Sequence, residues 1–476
     1  MRHKPKTRWK MILALTSAIC LMVFVLPLAG TAHPGSDNEI QRVVVIHLDT
    51  TRVNDLGCYG GLARTPNIDA VAAWGMRYTN SITPIPKTAP SIASFMTGRL
   101  PNSHGVYDFI GKLKESFTTL PELLQVHGFR TGGFVSNPVV DRLRTDPGRT
   151  AGFDQGFHVF EGIRDVPETP QGTHPNDVPR NLCKPLVQAA LDFIDRNENN
   201  RFFLWMLHLD PHTPYAPPAP YDTMYVDDPQ VTSGSTRLHP AKIHPRAYVN
   251  GRLDSHEYVA RHLGEVTLTD YWLGVLLRRI AQLPGRTLLV ITADHGESFG
   301  DAGHWFDHGS NIRHPCVNVP LIIACDGLVP VGTNDALVAN IDLAPTILEL
   351  LGISPTALGA NGFSLVPTFR HADPWSGRMI PIQTDNGIHW RGVRSAGYCL
   401  QSEFDSNDGS HLRTLLYDIK ADPLESIDVS ASLPEVYREH LALEHVWFSG
   451  DGHASDHELL NHPEVIRRLR SLGYLR

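Results

Sequence analysis

An α/β fold built on a mostly parallel sheet is predicted by three apolar runs that each end in acid or imidazole. Arg42–Asp49 reads RVVVIHLD, Arg201–His212 reads RFFLWMLHLDPH and Arg286–His295 reads RTLLVITADH. Runs without polar alternation suit strands covered on both faces, the usual state of strands in parallel sheets. Helical periodicity lies between them, at Thr119–His127, Leu182–Asn197, Glu257–Gln282 and Asp342–Leu351, with further strands expected at Gly128–Val135 and Val319–Cys325. Strand and helix alternate, so helices are expected to cover the sheet.

The chain is 476 residues long, enough for one large domain and a smaller one. With 42% hydrophobic and 19% charged residues it has an ordinary globular composition, which excludes disorder and fibre. A net charge of −8 argues against nucleic acid as a partner. An anionic substrate would therefore need a locally positive site, such as a metal.

At the N-terminus, Arg2, Lys4, Lys6, Arg8 and Lys10 precede an uncharged run from Met11 to Gly30, followed by Thr31-Ala32-His33. That pattern predicts residues 1–32 to be a secretory signal cut after Ala32, or an uncleaved anchor, since the run is just long enough to span a bilayer. Either way the body of the chain is expected to be exported: periplasmic, extracellular, or anchored facing outward. Membrane contact is expected only through this segment where it stays uncleaved. Cys20 lies in the run. The other cysteines (Cys58, Cys183, Cys316, Cys325, Cys399) show no metal-ligand spacing, and their pairing cannot be read from sequence. Nothing in the sequence marks an oligomeric state.

In Lys87–Gly98 (KTAPSIASFMTG), Thr88 is expected to be the N-cap of a helix, with Pro90 in the first turn, Ser91 at the third helical position and Gly98 at the stop. Ile92, Phe95 and Met96 recur at helical spacing. A hydroxyl there lies beside free backbone N–H groups and the positive end of the helix dipole, which suits an incoming anion.

Ligands of open α/β sheets gather at the carboxyl ends of the strands. The three strongest strands end in Asp49, in Asp210 with His212, and in Asp294 with His295. A single terminal acid is commonly a turn former or a helix cap. Three together need a compensating partner, and a divalent cation on two carboxylates and an imidazole supplies one, with Thr88 as a further ligand. Hard oxygen donors and one imidazole fit one Ca²⁺, Mg²⁺ or Mn²⁺ ion, and Zn²⁺ is compatible. The following loop, ADHGESFGDAGHWFDHG, carries Glu297, Asp301, His304, Asp307 and His308, with glycines at 296, 300, 303 and 309 that allow tight folding round a ligand.

Two segments, Asp165–Arg180 and Thr213–Ser255, break the alternation and are expected to form rim or lid elements. Near Pro374 the pattern ends. Strand-like pieces at Arg391–Leu400 and Leu415–Ile419 and a final helix at Glu464–Leu472 predict an α+β subdomain over 374–476.

The chain resembles the sulfatase family of the alkaline-phosphatase superfamily. The matching segments are HLDTTRVNDLGCYGG, RTPNIDAVAAWGMRYTNS, PSIASFMTGRLPNSHGV, HLDPHTPYAPP, TADHGE, NVPLII, LLYDIKADPLES and LRSLGYL. The resemblance implies a three-layer α/β catalytic domain, here 41–373, with a smaller C-terminal α+β subdomain. Asp49, Asp294 and His295 match the family's metal ligands. His212 and His308 match positions that contact the substrate anion or its leaving group. Two-metal relatives imply an alternative in which Asp210, His212 and His308 hold a second ion. The single Asp49 followed by Thr50, together with Asp-His at 294–295, looks more like the phosphonate and phosphodiester branch.

The departure is at Thr88. Sulfatases carry Cys-x-Pro-Ser-Arg or Ser-x-Pro-Ser-Arg, and the first residue becomes formylglycine. This chain has Thr88-Ala89-Pro90-Ser91-Ile92. Threonine is not a substrate for that oxidation, so no formylglycine is expected. A formylglycine hydrate expels sulfate by breaking its carbon–oxygen bond, whereas sulfated threonine has no such route. Phosphothreonine can be opened by in-line attack of water at phosphorus. The expected function is metal-dependent hydrolysis of a small anionic ester, with Thr88, His212 and His308 catalytic. Phosphate diester, phosphate monoester or phosphonate is favoured over sulfate. The alternatives are a sulfuric ester hydrolase and an inactive anion-binding protein of the same fold.

Overall fold

A computed structural model describes residues 39–109, 111–141, 151–163, 170–370 and 374–448. The predicted signal or anchor, the Glu464–Leu472 helix, the LRSLGYL segment and part of Asp165–Arg180 lie outside them. Among the described residues no helix is long and apolar enough to cross a membrane.

Eight strands form the main sheet, in the order Gly332–Asn334, Met76–Tyr78, Leu321–Ala324, Arg286–Thr292, Ile40–Leu48, Phe202–His208, Arg130–Val135 and Val159–Gly162. All pairings are parallel except the two made by Leu321–Ala324, which runs against both neighbours. The three apolar runs lie side by side at the centre, with Ile40–Leu48 between the other two.

Because side chains alternate along a strand, each run feeds two cores. Val43, Val45, Phe203, Trp205, Leu288 and Val290 pack with the helices Thr88–Thr97, Leu120–Val126 and Leu343–Leu350. On the other face, Val44, Ile46, Leu204, Met206, Leu289 and Ile291 pack with Pro66–Trp74, Cys183–Arg196 and Ser255–Ala281. The result is a three-layer sandwich.

A separate antiparallel sheet follows in chain order: Ile380–Asp385, Ile388–Arg394, Tyr398–Asp405 and His411–Asp418. The helix Pro434–Phe448 packs on it through Leu443 against Met379 and Val393. The piece expected at Arg391–Leu400 is therefore two strands, separated by the Ser395–Gly397 turn. Cys58, Cys183, Cys316, Cys325 and Cys399 are all free thiols.

The helix cap also differs from expectation. Lys87 is the N-cap, and Thr88 is already the first helical residue, which places Ser91 fourth. The helix does stop at Gly98, whose φ of 65° lies in the left-handed region.

His104 fixes the chain just beyond this helix. Its Nδ1 accepts the Val106 N–H at 3.0 Å, and Nε2 lies 3.0 Å from Ser94 Oγ. Burial, with Arg99 adding to it, pushes the imidazole down to about 3. The unfolded chain binds a proton near pH 6.5 and the folded one does not, so this group's contribution is complete above pH 6.5 and falls as pH drops toward 3. Urea unfolding should show His104→Asn to be less stable than the wild type at pH 7.5, with a shallower loss on acidification to pH 5.

Candidate active site

Parallel order brings the carboxyl ends of the central strands together. His47 is in register with Thr292, and Leu48 with His208, so the chain leaves the sheet at neighbouring points for Asp49, Asp210 and Asp294. The Thr88–Thr97 helix begins at the same edge and is tied there. Ser91 Oγ donates to the Asp294 carbonyl at 2.7 Å and accepts from Asn340 Nδ2 at 2.9 Å.

Asp49, Asp294 and His295 each offer a ligand atom, all within 4.8 Å of one another and all buried. His295 Nδ1 donates to the Gly296 carbonyl at 3.0 Å, which leaves the Nε2 lone pair facing the carboxylates. Nε2 is 3.7 Å from Asp49 Oδ1, 3.5 Å from Asp294 Oδ2 and 3.3 Å from Thr88 Oγ1. Asp49 Oδ1 and Asp294 Oδ2 are buried with no hydrogen-bond partner. Two orphaned carboxylate oxygens and an aimed imidazole are a donor set suited to a hard or borderline divalent cation. Burial raises both carboxyl pKa values above the usual range, and for Asp49 the nearby Asp294 charge adds to it. Like charges out of water need a countercharge, so the residues fit an ion.

Asn137 completes the contact round Thr88. Its amide nitrogen donates to Asp49 Oδ2 at 2.5 Å and lies 3.3 Å from Thr88 Oγ1. It was not among the residues singled out from sequence. Its position two residues after Val135, at the end of the strand that pairs with Phe202–His208, is the signal that could have found it.

His212 and His308 stand on the open side of Thr88. The His308 ring stacks on His295 at 4.3 Å and meets His212 edge-on at 4.9 Å. His308 Nδ1 lies 3.3 Å from Glu297 Oε1, and Glu297 Oε2 accepts from Tyr215 OH at 2.9 Å. His212 Nδ1 donates to the Thr213 carbonyl at 2.6 Å. Burial holds both imidazoles well below their ordinary pKa, helped by the neighbouring rings, so they are neutral near pH 7.

Asp210 does not join them. Its two oxygens accept the backbone N–H groups of Leu182 and Cys183, at 3.0 and 2.6 Å, at the start of the Cys183–Arg196 helix. This carboxylate acts as the helix cap that a strand-end acid commonly is. Among the described residues the only cluster of three metal-ligating groups is Asp49, Asp294 and His295, so the Asp210–His212–His308 alternative has no geometric support.

The glycine-rich loop divides. Asp294, His295, Glu297 and His308 are buried, while Asp307 lies 3.9 Å from both His244 and His304 on its partly exposed side. Gly296 is required, since a Cβ there would fall 1.9 Å from the Pro315 carbonyl oxygen. Lys87, also missed, is buried beside Thr88's helix start and donates to the Asp385 carbonyl at 2.6 Å, linking the site to the C-terminal sheet.

A cavity of 440 Å³ opens against Thr88, Asn137, His212 and His308. Arg180 and Arg246, from the two irregular segments, also line it, which gives those segments a place on the rim.

A family model described as Sulfatase matches residues 41–353. Iduronate 2-sulfatase from Homo sapiens is 24% identical over 421 residues, covering 74% of this chain and 73% of its own. Arylsulfatase A from Homo sapiens is 26% identical over 446 residues, covering 83% and 85%. Among solved structures, the phosphonate monoester hydrolase of Agrobacterium radiobacter superposes with a TM-score of 0.68 at 21% identity, covering 86% of this chain and 95% of its own.

Proposed function

The chain belongs to the sulfatase family of the alkaline-phosphatase superfamily, and on that premise we propose that it hydrolyses a phosphorus ester through Thr88. The observation that carries the proposal is a threonine hydroxyl, 3.3 Å from His295 Nε2, at the point where formylglycine would stand. A secondary alcohol has no second hydroxyl with which to expel sulfate from carbon. Phosphorus can be released from it by in-line displacement instead.

Asp49, Asp294 and His295 would hold one divalent cation, Ca²⁺, Mg²⁺, Mn²⁺ or Zn²⁺. When bound, the ion acidifies the Thr88 hydroxyl and offsets charge on a non-bridging oxygen of the ester. As Thr88 Oγ1 attacks phosphorus, neutral His212 or His308 takes its proton, the bond from phosphorus to the leaving oxygen breaks, and the imidazolium so formed gives that oxygen the proton. The now basic imidazole takes a proton from water, which attacks phosphorus opposite Thr88. The P–Oγ1 bond breaks and Thr88 recovers its proton. Asn137 steadies Oγ1 through both displacements, and the free N–H groups of Thr88 and Ala89 present a positive helix end to the anion. The catalytic unit is proposed to span 41–373, with 374–476 as a subdomain. The basic, apolar N-terminus supports export.

The test is a panel of an aryl phosphate monoester, an aryl phosphate diester, a phosphonate ester and an aryl sulfate, with divalent metal added. Turnover of phosphorus esters supports the reading. Release of sulfate with phosphorus esters untouched overturns the preference, and inactivity on all of them with metal bound favours an anion-binding protein. Asn137→Ala should lower kcat by about 10²-fold while metal-induced thermal stabilisation persists.

A further inference from the structure

Beside Thr88, the 440 Å³ cavity is lined by polar groups and by apolar residues that include Phe109, Val135, Pro138, Val139, Ile163 and Leu209. Most of the polar groups are already engaged by the protein. Ser136 Oγ donates to the Leu207 carbonyl at 3.2 Å and accepts from the Leu209 N–H at 2.9 Å. Asn137 gives its N–H to Asp49 and takes the Val139 N–H on Oδ1 at 2.8 Å. Arg180 Nη2 donates to the carbonyls of His212 and Pro214 at 2.7 and 2.5 Å, while its Nε is buried without a partner. Asp141 is buried against Gly162. Of the charged liners, Arg246 is the exposed one.

A sugar seated here would press a hydroxyl from nearly every carbon against apolar side chains, and each would lose water without a partner. An aryl or alkyl body loses nothing polar and gains burial. The volume lies within the range of pockets that enclose a small organic ligand. We infer that this cavity receives an apolar leaving alcohol, so that the ester cleaved carries an aryl or alkyl body rather than a polyhydroxylated one. The inference rests on Thr88 being the nucleophile, because the cavity then lies where the departing oxygen's substituent goes.

A ladder of 4-methyl-, 4-ethyl-, 4-propyl- and 4-butylphenyl methylphosphonates tests it, since these phenols differ little in acidity and their kcat/KM values report fit. Each added methylene should raise kcat/KM about two- to fourfold until the cavity is full. Val139→Asp should collapse the ladder. A matched pair of primary-alcohol esters, cyclohexylmethyl and glucose-6 methylphosphonate, should favour the cyclohexylmethyl ester by at least about tenfold.

A flat ladder with turnover retained, or preference for the glucose ester, overturns this inference and leaves the ester-hydrolase reading standing. Absence of turnover on every phosphorus ester overturns that reading instead. Calorimetric binding of 4-butylphenol to the metal-loaded protein then decides the chamber by itself. Saturable binding lost in Val139→Asp supports it, and no saturable binding overturns it.

Discussion

Thr88→Ala is expected to reduce turnover of phosphorus esters by at least about 10³-fold, the scale of losing an activated nucleophile. The side chain sits 2% exposed at a helix start, in contact with His295 Nε2 and Asn137 Nδ2. Replacing it with alanine leaves the helix intact, because Lys87 is the cap and Thr88 makes no capping bond. The variant should therefore unfold at close to the wild-type temperature while its rate collapses. Thr88→Ser keeps an oxygen in the same place and should retain activity within about tenfold. Mass spectrometry of a rapidly quenched reaction should show one added phosphoryl or phosphonyl group on the peptide containing Thr88, absent from Thr88→Ala. A rate unchanged by alanine would remove Thr88 from the chemistry altogether.

The sheet and most of the site were legible because one physical constraint wrote both. Strands buried on two faces must be apolar throughout, so Arg42–Asp49, Arg201–His212 and Arg286–His295 stand out, and the first polar residue after each marks the sheet's functional edge. That rule finds Asp49, Asp294, His295 and His212. It also picks Asp210, whose carboxylate instead satisfies the orphan N–H groups at a helix start. Sequence alone cannot separate a cap from a ligand when both are acids at a turn. Asn137 obeys the same positional rule but carries no charge, and a search for titratable groups passes over it. Thr88 was displaced by one helical position because its hydroxyl turns toward His295 rather than back to the helix N–H groups. The Ser395–Gly397 turn was hidden by strand-like residues on both sides. None of these differences disturbs the convergence, which depends on strand order.

Asp294→Asn should move the stability of the metal-free and metal-loaded protein in opposite directions. Without metal, Asp49 Oδ1 and Asp294 Oδ2 are buried and unpartnered, and the repulsion between the two carboxylates opposes folding. Asparagine removes one charge at nearly constant volume, so the metal-free variant should melt above metal-free wild type. Wild type should gain about 2.7 kcal/mol when free metal reaches 100 times its dissociation constant, and the variant should gain little. Chelation of the wild type and the Asp294→Asn substitution should each cost about 10³-fold in kcat/KM, and metal should restore only the former. Differential scanning calorimetry with and without chelator reads the stabilities, independently of any substrate. A mere structural acid would behave otherwise. Its amide would lower stability in both conditions, and the response to metal would survive. The crossing of the two melting curves is therefore the signature of a pocket whose carboxylates are strained until a cation joins them.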